Sequence, residues 1–132
     1  MPIVDIDIVG DMPPTDAAAT QAIADALGAV FGSKPQGTWV SLRVLPAAQY
    51  AESGGAAPGG APVFVRILQR DAADGAARAI EVQAVTKAVA AALSQPPAHV
   101  HVIYEPSARG RVAFGGRLVA SAGFGLAATH PA

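Results

Sequence analysis

The chain opens Met1-Pro2-Ile3-Val4-Asp5-Ile6-Asp7-Ile8-Val9, and the residue there with chemistry to offer is Pro2. An initiator methionine followed by a small residue is ordinarily trimmed, which would leave Pro2 as a free secondary amine heading a strand. An α-amino group titrates at roughly 7.7–8.0. An apolar pocket or a neighbouring cation disfavours the ammonium and lowers that value. An amine that is neutral near physiological pH is a competent general base. The pyrrolidine ring also fixes φ, so the lone pair keeps one direction. The plain alternative is a proline that merely opens an edge strand, where it is tolerated.

The elements that must position Pro2 are written twice. Val4, Ile6 and Ile8 alternate with Asp5 and Asp7, the period of a half-buried strand. Pro13-Pro14-Thr15-Asp16 predicts a helix start with Thr15 or Asp16 as N-cap. Ile23, Leu27, Val30 and Phe31 share one helical face, and Gly32 ends the helix. Trp39 to Leu45 alternates again as a second strand, stopped by Pro46. A Gly/Ala/Pro-rich connector follows, and the pattern restarts with Val63, Val65 and Ile67 as a third strand. A helix is expected from about Gly75 to Leu93, with Val82, Val85, Val89 and Leu93 on one face. Pro96-Pro97 turns the chain into a fourth strand, Val100 to Tyr104.

Ile6 superposes on Val65 and Val40 on Val100, a self-similarity at about 60 residues. The fold class expected is therefore α/β: two fused β-α-β units forming a four-stranded mixed sheet with two helices on one face. Each crossover is long enough for parallel pairing. The expected divisions are a first repeat over 2–50, a connector over 51–61, a second repeat over 62–120 and a tail over 121–132, all within one domain. The other sheet face has no cover within the chain and must meet solvent or another subunit; the Val/Ile/Leu content favours the subunit.

With 132 residues, one domain is expected; 52% hydrophobic residues against 14% charged point to surface buried between subunits. The net charge of −1 and nine scattered Lys/Arg give no phosphate-neutralising stripe, so nucleic acid is not an expected partner. The absence of cysteine excludes disulfides and thiolate zinc sites. The N-terminus lacks the features of a signal peptide, and no window approaches the ~20 apolar residues of a membrane span. A cytoplasmic location is the expectation.

Pro2 opening a β-α-β unit, the fused second unit, and Gly110-Arg111-Val112-Ala113-Phe114-Gly115-Gly116 after the last long strand together resemble the tautomerase superfamily. The second half is similar to 4-oxalocrotonate tautomerase. The whole chain is similar to fused-repeat members such as macrophage migration inhibitory factor and cis-3-chloroacrylic acid dehalogenase, across roughly residues 2–120. The resemblance implies a homotrimer with a barrel-like core and an amino-terminal proline base. It also implies keto–enol tautomerisation of small α-keto carboxylates, with no metal or cofactor. Only the first unit begins the chain, and its counterpart Pro62 is an amide, so a trimer would hold three active sites.

The resemblance also assigns a substrate-binding set. Lys34, before the second strand, matches a pocket lysine of the cytokine. Arg70, at the end of the third strand, matches a substrate-binding arginine of the dehalogenase, and arginine can grip a carboxylate bidentately. His101 stands where the short tautomerase sends an arginine into a neighbouring subunit's pocket, and could donate to an enolate oxygen. Trp39 and Phe114 match aromatic wall positions. Surface charge, for Lys34 and Arg70, and packing, for the other three, are the alternatives. Arg43, Arg109, Arg111 and Arg117 are possible rim cations that nothing in the sequence separates from ordinary surface charge. Asp5 and Asp7 read as interface or surface polar groups.

The dehalogenase's other polar groups fall at Ala73, Ile103 and Ala113, which leaves water without a base and disfavours hydrolytic dehalogenation or hydration. Two other readings stay open: a non-catalytic trimeric binding or signalling protein of the same fold, and a ferredoxin-like ligand-sensing module.

Overall fold

The computed structural model describes residues 2–10, 16–56 and 59–121. Its elements run β1 (Ile3–Val9), α1 (Ala17–Phe31), β2 (Trp39–Leu45), β3 (Val63–Leu68), α2 (Gly75–Ala92), β4 (Val100–Tyr104), then a small hairpin of β5 (Ala113–Phe114) and β6 (Arg117–Leu118). The main sheet has the order β2-β1-β3-β4. β1 runs parallel to β2 and β3 parallel to β4, while the two units meet through antiparallel β1 and β3. This is the mixed sheet that the duplicated pattern predicts. Ile6 lies directly opposite Val65, so this superposing pair marks the centre about which the two repeats are related.

Alternation decides what the helices cover. Val4, Ile6 and Ile8 of β1 and Val63, Val65 and Ile67 of β3 are fully buried, together with Leu27 of α1 and Val85 and Val89 of α2. Burying one such side chain contributes about 1.5–3 kcal/mol, so this layer dominates the stability. α1 starts where Asp16 Oδ1 accepts from the Ala19 amide at 2.9 Å, and it stops at left-handed Gly32. Asp16 is the N-cap; Thr15 lies outside the described residues.

The sheet face away from the helices carries the polar groups of the strands, Asp5 and Asp7 among them as expected. The branched apolar residues alternate inward, so the centre of the outer face is charged rather than apolar. Arg66 donates to Asp7 at 2.9 Å, and Ser41 to Asp5 at 2.7 Å. Arg43 stands 3.7 Å from Asp5 and 4.0 Å from Asp7. Apolar groups keep to the margins: Phe64 packs on Tyr50 and on His101, with ring centroids 6.0 and 5.7 Å apart. No helix among the described residues is long and apolar enough to cross a membrane.

Candidate active site

The register of the sheet gathers four of the six candidate residues at one end. Pro2 is buried, and its carbonyl accepts from the Trp39 amide at 2.9 Å. On the other side of β1, Ile3 pairs with Leu68, and Arg70 follows two residues later. Pro2 thus lies between the start of β2 and the end of β3. Beside it is a cleft of about 450 Å³, lined among others by Gln36, Trp39, Arg70, Arg109, Phe114 and Val119. The volume suits a small ligand. Pro2 itself is not among the residues that line it.

The cleft wall is aromatic and held. The Trp39 indole N–H donates to the Gln36 carbonyl at 2.9 Å, which fixes the ring. Phe114 meets Trp39 edge-on, with centroids 5.4 Å apart and planes at 87°, the T-shaped geometry that aromatic quadrupoles favour. The tip hairpin β5–β6 therefore has a purpose in the site: its two residues per strand carry Phe114 back over β2.

The cationic side has two arginines. Arg70 has no carboxylate within salt-bridge distance among the described residues, and its backbone carbonyl is held by the Ser107 hydroxyl. Arg109 is tied in a two-point clamp: Nε to Asp71 Oδ1 at 2.5 Å and a terminal nitrogen to Asp71 Oδ2 at 2.6 Å. A third donor reaches the Ala120 carbonyl at 3.3 Å. The clamp holds the Asp71 carboxyl below its ordinary value and raises Arg109, in both cases chiefly through the hydrogen bonds they share. Charge-assisted, bidentate pairs of this kind fix orientation as well as charge.

Two candidates stand apart. Lys34 is exposed on the loop before β2, in a neighbouring groove between α1 and β2 that it shares with Gln36 and Trp39. His101 pairs with Phe64 on the outer sheet face, four residues of β3 from Leu68, or roughly 13 Å. It cannot enter this chain's own cleft. Of the possible rim cations, Arg43 belongs to the outer-face charge cluster, and Arg109 alone lines the cleft. Among the described residues no cluster of His, Asp or Glu could hold a metal ion. Tyr104 is not a proton donor to this site: its hydroxyl donates to Glu81 at 2.8 Å, and burial pushes its pKa up.

Sequence reasoning missed Asp71 and Gln69. The clamp joins residues 38 positions apart, and nothing local announces it. Gln69 had a readable signal. It continues the inward alternation of Val63, Val65 and Ile67, yet it is polar, and it is buried with its Oε1 unpaired. One step beyond the Ile3–Leu68 pair, it stands across from Pro2.

No protein-family model matches the chain, and no curated protein sequence does. Solved structures do. A fused 4-OT, described as a wild-type symmetric trimer, shares 21% identity at a TM-score of 0.70, covering 97% of this chain and 99% of that one. Pt0534, solved after inactivation by 2-oxo-3-pentynoate, shares 16% at 0.67 over 89% and 96%. Macrophage migration inhibitory factor of Toxoplasma gondii shares 14% at 0.62 over 87% and 97%. The chain shares the fold of these structures.

Proposed function

We propose that the chain, once Met1 is removed, is a cofactor-independent keto–enol tautomerase of small α-keto carboxylates, with Pro2 as its general base. The observation that carries this reading is the burial of Pro2 against Trp39 at the sheet end where Arg70 and the Trp39–Phe114 wall enclose a ligand-sized cleft. With Met1 attached, the proline nitrogen is an amide and has no basicity. Freed, it becomes an amine whose ammonium form is opposed both by burial and by the nearby arginine.

The step needs only one base. The neutral amine takes the enol O–H proton, the oxygen's electron pair forms the carbonyl, and the former C=C pair accepts a proton from the ammonium at the adjacent carbon. Arg70 holds the substrate carboxylate and stabilises charge developing on the oxygen. Trp39 and Phe114 flank the organic body of the substrate. Lys34, one loop away, adds positive potential at the mouth. His101 faces outward, so it serves only if another copy's cleft comes to it, as a homotrimer would allow. The trimeric fused 4-OT structures support that assembly.

The test follows ketonisation of phenylenolpyruvate in the ultraviolet. Pro2→Ala, and a form that retains Met1, are expected to lose about 10²-fold or more, the scale of a general base. Turnover like that of the trimmed wild type in either form contradicts the reading. Binding of the enol by the trimmed protein without turnover would favour a non-catalytic binding protein.

A further inference from the structure

We infer that Asp71 is a specificity-determining residue: by clamping Arg109 it leaves Arg70 as the one cation of the cleft lining without an ion-paired carboxylate among the described residues, so that the site takes monocarboxylates and refuses dicarboxylates. The inference rests on the proposed carboxylate site and goes beyond it by naming the substrate class and the residue that sets it.

The argument is one of charge count and geometry. Two guanidinium groups line the cleft. A cleft with two free arginines would suit a ligand with a carboxylate at each end. Here the fork of Arg109 is occupied, with Nε and a terminal nitrogen on the two Asp71 oxygens and another on the Ala120 carbonyl. Five N–H donors in a rigid plane are all that a guanidinium has, and the pair that best matches a carboxylate is taken. Asp71 also places its negative charge beside Arg70, which helps to hold the Asp71 carboxyl below its ordinary value. A second carboxylate entering the cleft would meet an arginine already satisfied and an aspartate of its own sign. Of the rest of the wall, Trp39, Phe114 and Val119 are apolar and Gln36 is neutral, so that end of the ligand meets no further cation in the lining.

The clamp also has a mechanical part. Asp71 follows β3, and Arg109 precedes the β5–β6 hairpin that carries Phe114. Their pairing ties the segment bearing Arg70 to the segment bearing the aromatic wall. Asp71 is therefore a positioning residue for both sides of the cleft, without touching the ligand.

Trp39 is the only tryptophan in the chain and lines the cleft, so its fluorescence reports occupancy with no chemistry required. The probes are hexanoate and adipate, which match in chain length and differ in one carboxylate. Trimmed wild type is expected to bind hexanoate more tightly than adipate. Asp71→Asn, which keeps the shape and one acceptor but removes the charge, is expected to tighten adipate about fivefold, as for one exposed ion pair, with hexanoate changed less. Arg109→Gln leaves Asp71 uncompensated and is expected to weaken both probes. A wild type that prefers adipate, an Asp71→Asn variant with unchanged adipate affinity and intact circular dichroism, or no quenching by either probe would each overturn the inference. Should the selectivity change as expected while Pro2→Ala keeps full turnover, the base assignment fails and the role of Asp71 stands.

Discussion

A secondary amine acts as a base near neutrality only where its ammonium form is disfavoured, and the proposed function assigns this to the burial of Pro2 and to the charge of Arg70. The expected consequence is a kcat/KM that rises with pH as the amine loses its proton, with a midpoint below the roughly 7.7 of an ordinary α-amine. Arg70→Ala should move that midpoint upward and raise KM together, because one cation both repels the ammonium and holds the carboxylate. A pH–rate profile in the two proteins checks it; an unshifted midpoint removes Arg70 from the account. Asp71 makes a separate prediction at acid pH. Its folded-state pKa lies below the unfolded 3.8 because Arg109 hydrogen-bonds the carboxylate. Its stabilising contribution is therefore complete above that value and is lost as pH falls through the lower folded one. The difference in melting temperature between wild type and Asp71→Asn should be present at neutral pH and vanish at the acid end.

At the scale of elements, two junctions hold the repeats in place, and each can be tested by one substitution. Asp16→Ala removes the N-cap of α1 and should destabilise by about 1 kcal/mol in urea denaturation. Gly60 ends the connector at φ +114°, and a Cβ there would sit 3.1 Å from His99 Cε1. Gly60→Ala should therefore destabilise by about 1–2 kcal/mol, chiefly through positive-φ strain, with a tight approach to His99 beside it; a neutral result would mean that the connector shifts freely. The four main strands and both helices were legible because alternation and helical periodicity report burial directly, as in Val4-Ile6-Ile8 and Val63-Val65-Ile67. That Trp39, Arg70 and Phe114 line one cleft at the Pro2 end of the sheet was reachable only through family resemblance, since it depends on the pairing of β1 with both neighbours. The Arg109–Asp71 clamp was illegible: it joins two loops whose meeting is a product of the finished fold. The charge of the outer face was legible in part: Asp5 and Asp7 alternate onto it in the sequence, whereas Arg43 and Arg66 join them only through the pairing of the strands.

For the whole molecule, the outer sheet face and the edges of β2 and β4 have no helix or further strand over them among the described residues. Asp5, Asp7, Ser41, Arg43 and Arg66 satisfy one another there, so this face does not need a dry partner, and a homotrimer that lines its centre with these groups is the assembly proposed. Light scattering should give three chains per particle, and a monomer at micromolar concentration would leave His101 with no cleft to serve. The account as a whole turns on the nitrogen of Pro2. Its most direct test is intact and peptide mass spectrometry of the purified protein before and after treatment with 2-oxo-3-pentynoate, the reagent that inactivates the structurally similar Pt0534. The account predicts a chain without Met1 that takes up one equivalent of reagent on Pro2 and loses its tautomerase activity in step. A mature chain that keeps Met1, or a trimmed chain whose Pro2 stays unlabelled while activity persists, would contradict it.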